Sequence, residues 1–477
     1  MKKRLAQLLK DIGDSSIVII GDLMLDEYII GDSNRISPEA PEPVIEEQER
    51  SHVPGGAANV AVNATVLNAD ARLTGILGND TEGEIFLTRL ADLGVGTDGI
   101  IAADDRPTSR KTRLIARGNQ VLRVDRETIK AVDGALEDRL VEMVNQQSGD
   151  VVVVSDYAKG VITPKLFKRI LASGKRLIVD PKSSDFSIYS GAFLVTPNLK
   201  ELCEACGASS IPLNEVEQET RKLMQNCSIE NILVTLGADG MMLVEGNGSS
   251  THIHTRAREV YDVTGAGDTV IATIACAVAA KASLEDACMI ANIAAGIVVG
   301  KHMTATATPA EILDYAFGPS ASEKIVDRPT LVSRVNELRK SGRRVVFTNG
   351  CFDLLHMGHI TYLNESRAFG DALVVGLNTD SSIKTLKGDS RPIIPETERS
   401  HVLAALECVD YVILFDEETP YDLIKAVKPD ILVKGADYTR EQVVGYDVVE
   451  ANGGEVRLVK LVGNMSTSDI IDRIKNG

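Results

Sequence analysis

The sequence predicts an α/β chain with two doubly wound units, and three observations lead to that prediction. From about residue 16 to residue 315, short β-branched runs alternate with longer stretches of helical periodicity. The pattern lapses between about 312 and 330 and then begins again. The length of 477 residues suits two to four domains. Alternation of this kind predicts sheets covered by helices on both faces.

The first unit is expected at residues 1–318. A helical pattern over about 1–12 precedes a strand that ends in Gly21-Asp22. The other predicted strands are 73–77, 151–154, 176–179, 193–195, 232–235 and 241–244, and the helices between them include 163–173 and 213–227.

Two polar, strand-rich segments, 27–53 and 100–125, depart from this alternation. Within the second segment, 108–113 and 120–126 have the composition of an antiparallel pair. We expect these segments to form a β lid over a site, and a plain surface hairpin is the alternative.

The second unit is expected at 343–477, after a linker and connecting helix at 319–342. The stretch before it has a linker composition, and a helix is predicted at 330–341. The predicted strands are 343–347, 372–376, 411–415, 431–433 and 456–459. About 130 residues suffice for one small Rossmann-like domain.

The formal net charge of −17 argues against nucleic acid or an anionic membrane as a partner. No apolar run reaches the length of a membrane span, and we expect no signal peptide. Seven scattered cysteines predict reduced thiols in a cytoplasm. For the single CxxC pair, Cys203 and Cys206, two half-buried helical thiols are expected rather than a zinc or redox site.

Two glycine clusters frame the first unit, one at Gly55-Gly56 and one at Gly265-Ala266-Gly267-Asp268. Small residues before a helix expose backbone N–H groups, and the helix dipole adds positive charge there. Such a cradle suits the charge of a phosphoryl group in transfer. Asp268 would accept the proton of an attacking hydroxyl. The alternative is that Asp268 is an ordinary residue of the first helical turn.

These features together resemble the ribokinase-like carbohydrate kinase family over about residues 1–318. The matching segments are Gly21-Asp22, Gly55-Gly56-x-x-Asn59 and Asp262-x-x-Gly265-Ala266-Gly267-Asp268. The resemblance implies that Gly265, Ala266 and Gly267 bind ATP phosphates and that Asp268 is the catalytic base. The sugar contacts that it implies are Asp22, Asp26, Gly55, Gly56 and Asn59.

The resemblance also implies a nucleotide site at Asn198, Leu199, Lys200 and Glu201, which match the family's Asn-x-x-Glu motif. Mg²⁺ would be carried there by ATP, near Asn198 and Glu201, rather than held by a dedicated protein site. A monovalent cation is a further expectation at the kinase site. A phosphate already on the sugar would be held by Lys159, Lys182 or Arg113, and a plain surface position is the alternative for Lys159. Dimerisation through the lid, frequent in the family, implies a homodimer.

The second unit carries His356-Met357-Gly358-His359 between a strand and a helix. Gly358 lets the backbone approach closely, so both imidazoles face one small space. There they would donate hydrogen bonds to a phosphoryl transition state. A zinc site is the rival, but Asp353 is the only nearby residue that would support it.

This motif resembles the cytidylyltransferase-like nucleotidyltransferase family over about residues 340–477. The resemblance implies that His356, His359 and Lys387 are catalytic. The nucleotide contacts that it implies are Asn349, Gly350, Phe352, Asp353, Gly358, Arg391, Gly435, Asp437, Ser466, Thr467 and Ser468. An ordinary helix N-cap is the alternative for the last three.

Four segments, 35–41, 155–160, 261–268 and 386–392, and the order of the two units carry a further resemblance. In these the whole chain resembles the family of bifunctional heptose 7-phosphate kinase / heptose 1-phosphate adenylyltransferases. The resemblance implies that the first site phosphorylates D-glycero-β-D-manno-heptose 7-phosphate at O1 with ATP. A separate phosphatase would remove the 7-phosphate, and the second site would make ADP-heptose for lipopolysaccharide core. Two alternatives remain. One is a fructokinase-like unit joined to a glycerol-3-phosphate cytidylyltransferase that uses CTP, and the other is a nucleotide-binding scaffold or sensor without turnover.

Overall fold

The computed structural model describes residues 2–38, 40, 42–255, 262–301, 304–318, 321–436 and 438–459. The chain divides into two compact units, Met1–Ala316 and Phe317–Gly477. Each unit has its own sheet and its own apolar cores. None of the described helices combines the length and the apolar character needed to cross a membrane.

The elements of the first unit alternate along the chain as the periodicity predicts. Its strands are β1 (Ser16–Gly21), β2 (Leu23–Ile36), β3 (Pro43–Gly56), β4 (Asp70–Gly78), β5 (Gly96–Ala103), β6 (Ser109–Ala116), β7 (Asn119–Arg126), β8 (Val151–Ser155), β9 (Arg176–Asp180), β10 (Leu194–Val195), β11 (Asn231–Thr235), β12 (Met241–Glu245) and β13 (Ser250–Ile253). Its helices are α1 (Lys2–Gly13), α2 (Ala57–Val66), α3 (Thr81–Asp92), α4 (Gly134–Gln146), α5 (Pro164–Leu171), α6 (Leu199–Cys206), α7 (Val216–Cys227), α8 (Ala266–Ala279), α9 (Leu284–Val298) and α10 (Pro309–Phe317).

The main sheet has the order β13-β12-β11-β10-β9-β8-β1-β4-β5 among the described residues. Its strands are parallel except at the β11–β12–β13 edge. Strand β8 is buried along its whole length, which explains why it reads as a continuous run of valines. Helices α2, α8 and α9 cover one face, and α4, α5 and α7 cover the other. The doubly wound, ribokinase-like fold is confirmed.

A second sheet, with the order β3-β2-β6-β7, forms the predicted lid. Strands β6 and β7 pair antiparallel, with Thr112 opposite Val124. The second of the two predicted lid segments begins later than expected, because residues 100–103 lie in β5 of the main sheet. Ile101 and Ala103 are buried in the core there, and this apolar alternation outweighs the polar character of the surrounding segment.

The second unit contains a five-stranded parallel sheet of order β16-β15-β14-β17-β18. Its strands are β14 (Val345–Gly350), β15 (Ala372–Asn378), β16 (Tyr411–Phe415), β17 (Ile431–Gly435) and β18 (Glu455–Val459). Its helices are α11 (Ala321–Lys324), α12 (Arg328–Lys340), α13 (Met357–Arg367), α14 (Asp380–Lys387), α15 (Glu396–Ala404), α16 (Tyr421–Val427) and α17 (Tyr446–Ala451).

Helix α12 was expected to be a connecting helix between the units. It begins at Asp327, whose side chain accepts the Thr330 N–H. Its apolar face places Leu331, Val335 and Leu338 in the core of the second unit, beside β14. The helix is therefore part of that unit's packing.

Candidate active sites

Asp268 lies in the first turn of α8 and is buried. Asn59 on α2 donates from Nδ2 to Asp268 Oδ2 at 2.7 Å. The chain reaches the helix through Gly265, whose φ of 79° is left-handed. A Cβ at this position would come within 2.9 Å of Asn59 Nδ2, so glycine leaves room for the amide that holds the carboxylate. Asn59, which follows the first glycine cluster, and Asp268, which ends the second, are thus joined by a hydrogen bond.

Burial raises the pKa of Asp268 to about 6. The hydrogen bonds from Asn59 and Tyr157 oppose that shift, Asp26 adds to it and Lys111 counters it. A carboxyl with this pKa is mostly ionised at neutral pH and is a stronger base than an exposed aspartate. Both properties suit a group that must take a proton from a hydroxyl.

Asp26 on β2 and Gly55 on β3 are diagonal neighbours in the lid, where Asp26 pairs with Val53 and Met24 pairs with Gly55. Arg113 donates from Nη1 to Asp26 Oδ1 at 2.5 Å. A Cβ at Gly55 would lie 2.2 Å from Asp26 Oδ2, so only glycine fits beside this carboxylate. Gly56, the N-cap of α2, accompanies them at the end of β3. The residues expected to contact the sugar therefore lie close together, and the Asp22 carbonyl accepts the Ala57 N–H beside Gly56.

Asp22 is committed to the backbone of the next loop. Its side-chain oxygens accept the N–H groups of Tyr157, Lys159 and Val161 at 2.9, 3.0 and 3.2 Å. Burial raises the pKa of Asp22, and these three hydrogen bonds oppose the shift. In the described structure its carboxylate therefore anchors the 157–161 loop beside Asp268.

Each cation predicted for a sugar-bound phosphate is paired with a carboxylate. Lys159 Nζ donates to Glu127 at 2.6 Å, Lys182 Nζ donates to Glu201 at 3.0 Å, and Arg113 holds Asp26. Sequence reasoning missed Lys111 on β6, whose ammonium lies 5.5 Å from the centre of the Tyr157 ring. Burial lowers the pKa of Lys111, and the nearby Lys159 lowers it further, whereas Asp26 raises it.

A cavity of about 660 Å³ opens beside the start of α8. Asn198 and Glu201 line it together with Ala266 and Gly267. Asn198 caps α6, because its side chain accepts the Glu201 N–H and Glu201 accepts the Asn198 N–H in return. From the same motif, Leu199 packs against the core, and Lys200 is exposed beside Glu204. The motif thus contributes two of its four residues to the cavity.

Asp180, at the end of β9, also lines the cavity, and its pKa lies well above the usual range because of burial and the nearby Asp268. Carboxylate oxygens of Asp180 and Glu201 are suitable neighbours for Mg²⁺ carried on ATP phosphates. Among the described residues, no group of three or more His, Cys, Asp or Glu has the arrangement of a protein metal site. The donor set fits an ion that arrives with the nucleotide.

His356 in the second unit is the N-cap of α13. Its Nδ1 accepts the Gly358 N–H at 3.2 Å, so the neutral ring carries its proton on Nε2. The ring of His359 lies 4.0 Å away, centre to centre. The pKa of His359 is lowered to about 4, mainly by burial and also by the nearby His356 and Lys387, while the Leu354 backbone opposes the shift. His359 is therefore neutral at neutral pH.

Asp353 and Arg391 form a pair that orients a loop. Arg391 Nη1 lies 3.2 Å from Asp353 Oδ2, and Oδ1 of the same carboxylate accepts the N–H groups of Ile393 and Ile394. Both were expected to contact nucleotide. In the described structure Asp353 joins the turn after β14 to the segment after α14, and it thereby places the Arg391 guanidinium at the site.

The remaining predicted contacts cluster at the carboxyl ends of β14 and β17, where ligands bind in open α/β sheets. Asn349 and Gly350 end β14, Gly435 ends β17, and the Lys434 Nζ donates to the Asn349 carbonyl at 3.1 Å. Phe352 follows with a φ of 43° and packs against the core. The predicted contacts Asp437, Ser466, Thr467 and Ser468 lie outside the described residues.

Arg399 is a further residue near this site, outside the predicted contacts. It lies in the first turn of α15, is buried, and donates to the carbonyls of Ile394, Cys351 and Asn378 and to the Asp380 carboxylate. An arginine at a helix start, where acidic residues are favoured, was the only local signal. Its guanidinium connects the turn after β14 with the end of β15.

With this geometry established, the relatives of the chain can be compared. Residues 14–311 match the pfkB family of carbohydrate kinases, and residues 347–473 match the cytidylyltransferase-like family. Bifunctional protein HldE of Citrifermentans bemidjiense is 45% identical over 465 residues, which cover 96% of each chain. Its counterpart in Trichlorobacter lovleyi is 44% identical over 484 residues, with 99% of this chain and 98% of its own covered. The chain belongs to the HldE family of bifunctional proteins.

Membership in the HldE family makes the chain an enzyme with a sugar kinase unit and a nucleotidyltransferase unit. Solved structures agree on the fold of the first unit. Arabidopsis thaliana ribokinase complexed with ribose and ATP has a TM-score of 0.53 at 20% identity, and Escherichia coli phosphofructokinase-2 in complex with potassium has 0.55 at 21%. Each covers 64% of this chain and 99% of its own.

Proposed function

We propose that the first unit phosphorylates D-glycero-β-D-manno-heptose 7-phosphate at O1 with ATP. The second unit then transfers AMP from ATP to the heptose 1-phosphate, which gives ADP-heptose and pyrophosphate for lipopolysaccharide core. The observation that carries this proposal is the presence of both complete sites, Asp268 in its cradle and the paired His356 and His359, on one HldE-family chain.

In the kinase step, Asp268 takes the proton from the heptose O1 hydroxyl as that oxygen attacks the γ-phosphorus of ATP. The bond to the β–γ bridging oxygen breaks and ADP leaves. Backbone N–H groups from Gly265 to Gly267, at the start of α8, stabilise the charge in transfer. Asn198 and Glu201 lie on the side of the cavity where Mg²⁺ on the phosphates would bind. A monovalent cation at this site stays a prediction.

The 7-phosphate of the substrate is placed at Lys159 and Lys111. Lys111 is near enough to Lys159 and to Asp26 of the sugar site that both affect its pKa. Two cations in a partly buried place repel each other and attract a dianion. Lys159 would exchange its contact with Glu127 for the phosphate.

In the transferase step, an oxygen of the 1-phosphate attacks the α-phosphorus of ATP and pyrophosphate leaves. His356 presents Nε2–H, and the His359 ring lies 4.0 Å from the His356 ring, centre to centre, at the same place. Lys387, at the end of α14, adds the cation that offsets the charge of the leaving phosphates. No covalent intermediate with the protein is needed.

The kinase lid is the proposed dimer contact. Its outer strand β7 is exposed along its length and includes Val121, Leu122 and Val124. An exposed apolar edge strand is a ready surface for a second copy of the sheet. We place the enzyme in the cytoplasm, in keeping with its free cysteines. A phosphatase would act between its two steps.

The experiment that tests the proposal is mass spectrometry of products after the full chain is incubated with MgATP and heptose 7-phosphate. Heptose 1,7-bisphosphate is the expected product, and ADP-heptose should form only after a sugar-bisphosphate phosphatase is added. A parallel incubation with CTP distinguishes the rival cytidylyltransferase. Failure to form bisphosphate, or faster transfer from CTP, would contradict the proposed substrates.

A further inference from the structure

The hydroxyl of Tyr157 donates to Asp268 Oδ1 at 2.9 Å. Tyr157 follows the end of β8, 111 residues before Asp268 in the chain, and no signature of the sequence includes the pair. The same tyrosine is fixed through its own backbone, because its N–H donates to Asp22 Oδ2. The loop that carries Tyr157 is therefore tied to the end of β1, and its side chain is tied to α8.

We propose that Tyr157 is a positioning residue for the kinase base, holding Asp268 ionised and fixing the plane of its carboxylate. This inference rests on the proposed role of Asp268. The Asp268 carboxylate accepts the Tyr157 hydroxyl on Oδ1 and the Asn59 amide on Oδ2. The two donors come from different elements, the loop after β8 and helix α2. An ionised carboxyl has about four acceptor sites, so these two hydrogen bonds leave room for the proton of the acceptor hydroxyl.

Tyr157 is suited to donate over the whole working range of pH. Burial and the negative charge of Asp268 raise its own pKa well above the usual value, so the phenol keeps its proton. It exchanges no proton during the reaction. The proton of the sugar hydroxyl passes to Asp268, the sugar oxygen bonds to the γ-phosphorus, and ADP takes the electrons of the broken bond.

Other charged groups around Asp268 also influence its ionisation. Asp26 on β2 favours the protonated carboxyl, and Lys111 on β6 favours the ionised form. Asp180 at the end of β9 also interacts with Asp268. Lys111 lies over the Tyr157 ring, so the tyrosine contacts the base with its hydroxyl and the lid with its ring face. A phenylalanine would keep the ring contact and lose only the donor.

The test is the variant Tyr157→Phe, measured in two ways in the full chain. The first is the carboxyl ¹³C titration of Asp268 in protein labelled at aspartate, with the resonance assigned by its loss in Asp268→Asn. The second is the pH profile of kcat/KM for the kinase reaction. Losing a hydrogen bond to a charged group should raise the titration midpoint by about one to two pH units. Kinase activity should then fall roughly tenfold near pH 6 and approach wild type near pH 9.

A matched control is Tyr189→Phe, which removes a phenol that donates to Asp156 Oδ2 at 2.6 Å but does not touch Asp268. The acidic limb of the kcat/KM pH profile of Tyr189→Phe should stay at the wild-type position, even if the melting temperature of the variant changes. An unmoved Asp268 titration in Tyr157→Phe, or an activity loss of equal size at every pH, would overturn the proposal. Because the NMR titration needs no sugar, it distinguishes this failure from a wrong choice of heptose substrate.

Discussion

At the scale of single residues, the kinase site depends on one carboxylate, whose pKa of about 6 lies just below neutral pH. Asp268 is buried, and two neutral donors oppose the burial. An ionised buried carboxyl lowers the stability of the folded unit, but it is a better acceptor for the proton of an attacking hydroxyl. His359 in the second site shows the complementary case, in which burial lowers the pKa and favours the neutral imidazole.

Replacement of Asp268 by asparagine should abolish bisphosphate formation and stabilise the first unit. The folded pKa of Asp268 is raised from 3.8 to about 6, so the folded state binds more protons than the unfolded state in that window. Its stabilising contribution is present at low pH and lost as pH rises through about 6. Calorimetry of Asp268→Asn against wild type should therefore show a gain in melting temperature that is larger at pH 8 than at pH 5. An equal gain at both values would refute the assignment.

Acid should weaken the second unit through His359. Its folded pKa of about 4 lies below the ordinary 6.5, so the unfolded state binds more protons between these values. Stability should therefore be complete above about pH 6.5 and decline as pH falls towards 4. In His359→Asn this decline should be smaller, as measured by denaturant unfolding at pH 7 and pH 5. His401→Asn, a change at a histidine on the exposed side of α15, is the control and should leave the decline unchanged.

At the scale of elements, loops after parallel strands bring the reacting groups together, and neighbouring elements fix those loops. Asp22 after β1 anchors the loop after β8, and Asp353 after β14 anchors the segment after α14. In both units a buried aspartate accepts backbone N–H groups of a distant loop. A buried carboxylate so satisfied holds its loop in one position.

Strand β7 should support the dimer if the lid is the contact. The double change of Leu122 and Val124 to aspartate puts two charges on its exposed apolar edge, and the dimer should dissociate to monomer. Size-exclusion chromatography with light scattering measures the mass. Ile129→Asp, an equally exposed apolar position outside the strand, should leave the oligomer as it is. A wild-type chain that is already monomeric would rule the contact out.

Helix α12 should be required by the second unit. Fragments 317–477 and 343–477 differ by this helix, which buries Leu331, Val335 and Leu338, and by the short helix α11 before it. Each buried side chain is worth about 1.5–3 kcal/mol, so the shorter fragment should lose several kcal/mol and expose apolar surface. Circular dichroism melts and dye binding compare the two. Equal stability would place the boundary at residue 343, as the linker composition suggested.

At the scale of the whole molecule, two chemically different groups of residues lie on one chain. The first combines a buried carboxylate with a helix start, and the second combines two neighbouring imidazole rings. Each site is assembled from residues of its own unit.

The two half-reactions should therefore be separable by mutation. Asp268→Asn should lose bisphosphate formation and keep pyrophosphate release from heptose 1-phosphate and ATP, whereas His359→Ala should do the reverse. Coupled assays for ADP and for pyrophosphate follow each reaction alone. An equimolar mixture of the two variants, with phosphatase, should restore ADP-heptose formation. Loss of both activities in either variant would mean that the units depend on each other.

The sequence by itself determined the features whose signals are contiguous. Alternating β-branched and helical runs set the α/β class, and Gly265–Asp268 and His356–His359 located both sites. At two places the local pattern did not decide the structure. The polar surroundings of β5 resembled the lid, and the periodicity of α12 does not show which core it joins.

Only the tertiary structure decided which distant groups meet. Asn59 and Tyr157 reach Asp268 across 209 and 111 residues, and the sheet order β8-β1-β4 places them there. The tertiary structure also shows that the Asp22 carboxylate anchors the Tyr157 loop and that Lys111 of the lid lies over the Tyr157 ring. The physical reason is that periodicity reports which face of an element is buried, whereas the partner on that face depends on strand order and register. The pKa of the base depends on those partners.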